Sequence, residues 1–295
     1  MAAIATTLES AGASSPAPPT FAQRVATRLV AVRWWRFVVL GLAGVYFIFP
    51  LASGLRFALD KQQGSGLTLA NFEGIFNVEA GFSAALWLSL RLALVTAVIV
   101  LALVVPTAIY IHLRAPSLKR AMDAVTVMPV VIPPIVLIIG VLQVAPAWLK
   151  ATPYLLSLEY VILAIPFVYR SMDSGLRAID SNTLVDASRS LGGGWATTLF
   201  RVLIPNLRTA ILSGTVLSIA VVIGEYTMAS LDQYQTFTVW IYGTNQDNAW
   251  ISEAASMLAL ILTWLLLLAI VFLDRGWGRR RSRRQTALSA AIGGP

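Results

Sequence analysis

Long apolar runs alternate with short polar connections along most of this chain. Six runs, near 37–59, 83–112, 123–145, 157–172, 207–229 and 253–273, approach the roughly 20 residues that cross a bilayer as a helix. Helices are the expected form, because an open strand leaves its backbone groups unsatisfied in lipid. The fourth run is the weakest, since Pro153 and Pro166 interrupt it and its apolar centre is short. Internal prolines at Pro106, Pro129, Pro133 and Pro134 predict kinks packed against neighbouring helices.

Composition agrees with a multi-pass membrane protein: 57% of residues are apolar and 12% charged, with a mean hydropathy of +0.75. A soluble domain of this length needs far more polar surface. There is no cysteine, which excludes disulfides and thiolate metal sites, and a single histidine, His112, forms no histidine cluster. No metal or cofactor is expected. The carboxylates are scattered over the connections, so no catalytic constellation of an enzyme emerges. A secondary transporter or channel remains as an alternative class. It predicts several membrane-buried ionisable groups or a polar filter, and only Glu225 and Arg91 stand out inside the apolar runs.

Charge sets the expected orientation. With both termini and the even-numbered connections on the cytoplasmic side, that side holds 18 of the 22 basic residues. The other side keeps Arg56, Lys61, Arg91 and Lys150. The positive-inside rule therefore predicts cytoplasmic termini. Residues 1–36 read as a disordered arm, rich in Ala, Ser, Thr and Pro over its first 22 positions. Arg24 to Arg36 separate that stretch from the first apolar run, unlike a cleaved signal. Residues 37–273 form the membrane domain, and 274–295 a basic tail that fixes topology beside anionic lipid head groups.

One polar segment, residues 174–205, breaks the apolar pattern on the side expected to be cytoplasmic. Gly175 to Leu191 has helical spacing, with Leu176, Ile179, Leu184, Ala187 and Leu191 as an apolar stripe. Gly192, Gly193 and Gly194 stop that helix. A second short helix restarts at Trp195, and Pro205 separates it from the next apolar run. The expected unit is two short helices joined by a tight turn at the membrane surface.

Within it, Asp186-Ala187-Ser188, three residues, Gly192, nine residues and then Val202-Leu203-Ile204-Pro205 keep a strict spacing over twenty positions. This resembles the "EAA" cytoplasmic loop of the permease subunits of ATP-binding-cassette (ABC) importers. Asp186 stands for the family's Glu, Ser188 for its second Ala, Val202 for Ile and Ile204 for Leu, while Ala187, Gly192 and Pro205 match. The resemblance implies an all-α, six-helix permease of the type I importer kind, non-catalytic itself. Asp186, Ala187 and Ser188 would face an ATPase subunit, Gly192 would allow the turn and Pro205 would end the element. It further implies a second permease chain, an extracytoplasmic substrate-binding protein and membrane lipid as partners, with no nucleic acid. No Gly-x4-Gly-Lys-Ser/Thr phosphate loop occurs, so ATP hydrolysis falls to another chain. The run RVLIPNLRTAILSGTVLSIAVVIGEYTMASL (201–231) resembles the spermidine/putrescine permease group, which implies a polyamine solute. Iron, thiamine, phosphonate and sugar permeases are the alternatives.

Candidates for the translocation pathway follow from polarity at depth. Glu225, with Tyr226 beside it, is either a cation-attracting wall of the pathway or an outer-interface carboxylate that snorkels or pairs with Arg91. Arg91 is either structural or an anion contact. Pro129 and Pro133, in Met128 to Val136, free carbonyls that line a cavity or mark irregular packing. Residues 232–252, polar and aromatic, read as an outer loop that receives a binding protein.

Overall fold

The computed structural model describes residues 35–77, 81–265 and 268. Most of the arm, 1–34, and the whole tail, 274–295, lie outside them. The described residues are helical apart from turns and one isolated bridge between Asp60 and Leu67. They form two units, residues up to Gly54 and residues from Leu55 onward.

Helix α1, Trp35–Leu59, crosses that boundary. Its residues 35–54 expose apolar side chains on every face, as lipid-facing helices do. In the second unit α2 spans Ala70–Asn77, and buried Asn71 donates to the carbonyls of Ala58 and Asp60 at 2.8 and 2.9 Å. Those carbonyls lie at the end of α1, where no further turn supplies amides to donate to them.

The core is a three-helix crossing of α3 (Phe82–Arg114), α7 (Tyr154–Ala178) and α10 (Arg208–Gly224). On α3 the buried positions Ala85, Ser89, Leu92, Ala93, Thr96, Ala97, Val100, Val104 and Ala108 recur at helical spacing. Small residues let α7 approach, because lipid offers no hydrophobic drive between helices and packing must supply it. Thr96 donates to the Ser157 carbonyl at 3.2 Å across this contact. The α7–α10 crossing is also close. A β-carbon on Gly175 would lie 2.4 Å from the Ala210 β-carbon, and one on Gly214 would lie 3.3 Å from the Val168 α-carbon. Below the crossing, Met172, Leu176, Val185, Leu203 and Leu207 join the same buried cluster.

Several expectations change. The weak fourth run is a continuous 25-residue helix, with Pro153 at its N-cap and Pro166 buried inside it. Pro153 sits where no amide partner exists anyway, and packing overrides the kinking tendency of Pro166. The third run is sharply bent. Helices α4 (Lys119–Val131, after a short turn from Pro116) and α5 (Pro134–Val144) meet at 97° across Ile132–Pro133. The fifth run ends at Gly224, where Glu225 turns extended, and a short helix α11 (Thr227–Leu231) follows. Residues 232–252 are largely not a loop: α12 (Phe237–Asp247) buries Phe237 and Trp240 in the core. The sixth run appears as α13, Ala249–Leu265, and residues 269–273 lie outside the described set. Among the described residues three helices are long and apolar enough to span alone, and up to five if each bent pair is one span.

Candidate functional site

Two places gather the residues singled out by sequence. The first begins where α7 stops. Ile179 turns extended and Asp180 caps the next helix, α8 (Ser181–Ser190), accepting from the Thr183 amide at 3.3 Å and its hydroxyl at 2.7 Å. These bonds hold the exposed Asp180 carboxyl below the usual carboxylate range. The expected continuous helix from Gly175 to Leu191 is therefore two helices, because the Asp180 side chain captures an amide that helix continuation would have used.

The turn behind α8 follows from glycine. Gly192 takes φ +79°, and the amides of Gly192 and Gly193 donate to the carbonyls of Arg189 and Ser188 at 2.9 and 2.8 Å. The chain re-enters a helical segment, α9 (Trp195–Asn206), whose middle, Thr198–Leu203, is wound as a π-helix. Segment α9 meets α10 at 72°, with Pro205 in its last turn and Leu207 at the bend.

Ser188 does not face outward as expected. It is buried, its hydroxyl 2.8 Å from that of Thr198, which also donates to the Gly194 carbonyl at 3.2 Å. This pair ties α8 to α9. The inward face of α8 is Ser181, Val185 and Ser188, not the stripe through Leu184, Ala187 and Leu191. Asp186, Ala187, Gly192 and Pro205 are exposed, and Leu191 is 89% exposed. Val202 and Ile204 are half-buried, between the outer face and the core-anchored Leu203.

The second place is the break after α10. The Glu225 carboxylate accepts from the Met228 amide at 2.9 and 3.1 Å, the Ala229 amide at 3.3 Å and the Tyr160 hydroxyl at 3.2 Å. Thr238 donates to the Glu225 carbonyl at 2.8 Å. The alternative of a Glu225–Arg91 pair is not formed: the Arg91 guanidinium lies over the Trp87 ring, 5.4 Å from its centroid. Tyr226 packs against Tyr242 at 5.1 Å. Pro129 lies inside α4 and exposed Pro133 precedes α5. Neither borders the apolar cavity of about 330 Å3, which α10, α12 and α13 line. Sequence reading missed Glu159, which is 1% exposed and has no hydrogen-bond partner among the described residues. Its signal was present as an acid within SLEYVILA, obscured by placing the start of that span at 157.

A helical, multi-pass membrane permease with the type I importer fold is the class these features define. The profile of the family described as "Binding-protein-dependent transport system inner membrane component" matches residues 104–283, and the chain belongs to that family. It is 30% identical over 157 residues, 48% of this chain and 69% of the relative, to the molybdenum transport system permease protein ModB of Azotobacter vinelandii. It is 27% identical over 271 residues, 86% of this chain and 94% of the relative, to a probable molybdenum ABC transporter permease protein of Haloferax volcanii. A solved bacterial ABC transporter involved in import of the acidic polysaccharide alginate shares the fold. Its TM-score is 0.52 at 14% identity, covering 87% of this chain and 98% of that one. This chain is thus a permease subunit of an ABC importer.

Proposed function

We propose that Ser181–Asn206 is the element through which a partner ATPase drives this permease, and that it lies on the cytoplasmic side with both termini. The carrying observation is one unit with two faces: Leu203 is sunk in the core, while Asp186, Ala187 and Leu191 stand exposed. The Ser188–Thr198 contact makes α8 and α9 move together, so force on the outer face reaches α7 and α10. Closure of the ATPase would then tilt α10 against α7 and open the bundle to the binding protein. Asp186→Lys should cut co-purification of the ATPase and ATP-dependent uptake at least tenfold while insertion is kept. Unchanged uptake and ATPase association would refute the assignment. Sidedness is tested by a membrane-impermeant thiol reagent, which should label Ser65→Cys and spare Ser282→Cys in intact cells.

For the solute, we infer a small oxyanion, molybdate. Two relatives carry molybdenum in their names. Glu225 lends no support to a cation, since Met228, Ala229 and Tyr160 already satisfy its carboxylate. A polyamine is the second reading, supported by the resemblance of residues 201–231 to spermidine/putrescine permeases. Uptake of labelled molybdate and putrescine by the complex with its binding protein separates the two.

A further inference from the structure

An open, polar cavity of about 540 Å3 lies where the end of α3 meets the Ser181–Asn206 element, lined by Tyr110, Arg114, Arg189 and Trp195. We propose that it holds the phosphate of an anionic phospholipid, which bridges the end of α3 to α8 and α9.

Depth is the first argument. The twenty residues Leu92–Ile111 are uncharged, flanked by Arg91 and His112. At 1.5 Å per residue they rise about 30 Å, the thickness of the hydrocarbon core. Arg114 then stands about 4.5 Å beyond the apolar boundary, at the level of the lipid phosphates, and Tyr110 one turn below it. Chemistry is the second argument. Two arginines from separate elements line the cavity, with no carboxylate among its lining residues. The ion pairs of the described residues both engage Asp173 instead, with Lys119 and Arg177. Paired arginines suit the equatorial oxygens of a phosphate, which they bind as planar forks. The third argument is the aromatic pair. Tyr110 and Trp195 are half-exposed large rings, which favour the boundary between acyl chain and headgroup. A soluble anion would have no use for them.

The consequence is mechanical. A lipid seated there bonds at once to α3, which belongs to the core crossing, and to Arg189, in the last turn of α8. The inference relies on the membrane-spanning fold and stands apart from the ATPase assignment, so its test reads lipid binding and not transport.

The assembled importer is placed in nanodiscs of phosphatidylcholine with rising fractions of phosphatidylglycerol, and retained lipid is counted by native mass spectrometry. One phosphatidylglycerol should stay bound per copy of this chain in the wild type and in Arg201→Gln, an exposed arginine of the same element outside the cavity. Each of Arg114→Gln and Arg189→Gln should raise the fraction needed for half-occupancy several-fold, and the double variant at least tenfold. Double lysine replacement should restore part of the retention, since charge survives without the fork. Equal retention in the wild type and the double glutamine variant overturns the proposal. An otherwise unaltered chain with a photocrosslinking residue at Tyr110 gives a second reading. It should capture phosphatidylglycerol over phosphatidylcholine, and equal capture overturns the site. Arginine-dependent binding of inorganic phosphate in phosphatidylcholine-only discs, with no lipid preference, would assign the pocket to a soluble anion and overturn the lipid.

Discussion

Three successive glycines end α8, and the structure gives each a different sensitivity to alanine. Gly194 has φ −73° and ψ 171°, and a β-carbon there meets nothing within 4 Å. Alanine should stabilise slightly, by about 0.5 kcal/mol, through a less mobile unfolded chain. Gly192 also has open space but takes φ +79°, so alanine costs about 1–2 kcal/mol of backbone strain. Gly193 has no such strain, yet its β-carbon would lie 2.6 Å from the Ser188 hydroxyl and 2.7 Å from the Ser188 carbonyl oxygen. That carbonyl is backbone and accepts the Gly193 amide at 2.8 Å. Relief must push the turn open and lengthen this bond, adding overpacking of about 1–3 kcal/mol to a hydrogen bond worth about 1 kcal/mol.

The resulting order is Gly193 worst, Gly192 intermediate, Gly194 harmless. Amide hydrogen exchange over residues 181–191 of the assembled importer reads it directly, since about 1.4 kcal/mol of local opening is tenfold in exchange rate. Gly192→Ala should speed exchange roughly 5- to 30-fold, and Gly193→Ala roughly 30- to 1,000-fold. Gly194→Ala should leave it unchanged or slower. If Gly193→Ala and Gly194→Ala behave alike, the packing of Ser188 against the turn is wrong, and so is the account of how α8 and α9 are joined.

Other outcomes follow from contacts in the bundle. Gly175→Ala drives a β-carbon to 2.4 Å from that of Ala210 and should cost about 1–3 kcal/mol, lowering the thermal midpoint; adding Ala210→Gly should recover most of the loss, and failure to do so refutes the crossing. Asp173 joins Lys119, at the start of α4, to Arg177 on α7, so Asp173→Lys should impair uptake. Exchanging the two charges with Lys119→Asp should restore it in part, because Arg177 then lacks its partner. Glu225→Gln should leave solute preference unchanged while lowering stability by about 1–3 kcal/mol, as a charge-assisted network weakens; altered preference at full stability would return Glu225 to the pathway.

The long apolar helices were legible because lipid and core demand the same residues. The α8–α9 turn was legible too, since Gly192-Gly193-Gly194 and Pro205 speak through local sterics. What was not legible is which way α8 faces. The apolar stripe through Leu184, Ala187 and Leu191 would be the inward face only if apolar residues always pointed to the chain's own core. Here Val185 and two serines point inward and Leu191 outward. If the outer face receives another protein, as proposed, it inverts the rule that finds core faces. Helix α12 failed for a related reason: two anchors, Phe237 and Trp240, lie in a segment otherwise polar enough to read as a loop.

The helix breaks show why an intramembrane acid need not be a transport residue. At Ile132 the amide still reaches the Met128 carbonyl at 3.1 Å, and at Leu207 the amide reaches Leu203 and Ile204 at 2.9 and 3.1 Å. The break after α10 leaves more undone, because α11 begins afresh and its first amides have no preceding turn. Unsatisfied amides are costly at membrane depth, where no water substitutes. The Glu225 carboxylate supplies acceptors to Met228 and Ala229, and Thr238 covers the carbonyls of Ile223 and Glu225. An acid does this better than a hydroxyl, since it takes several donors at once and charge strengthens each bond. The Glu225 carboxylate thus holds a broken span together through its own hydrogen bonds, and Glu225→Gln separates that work from a place on the solute pathway.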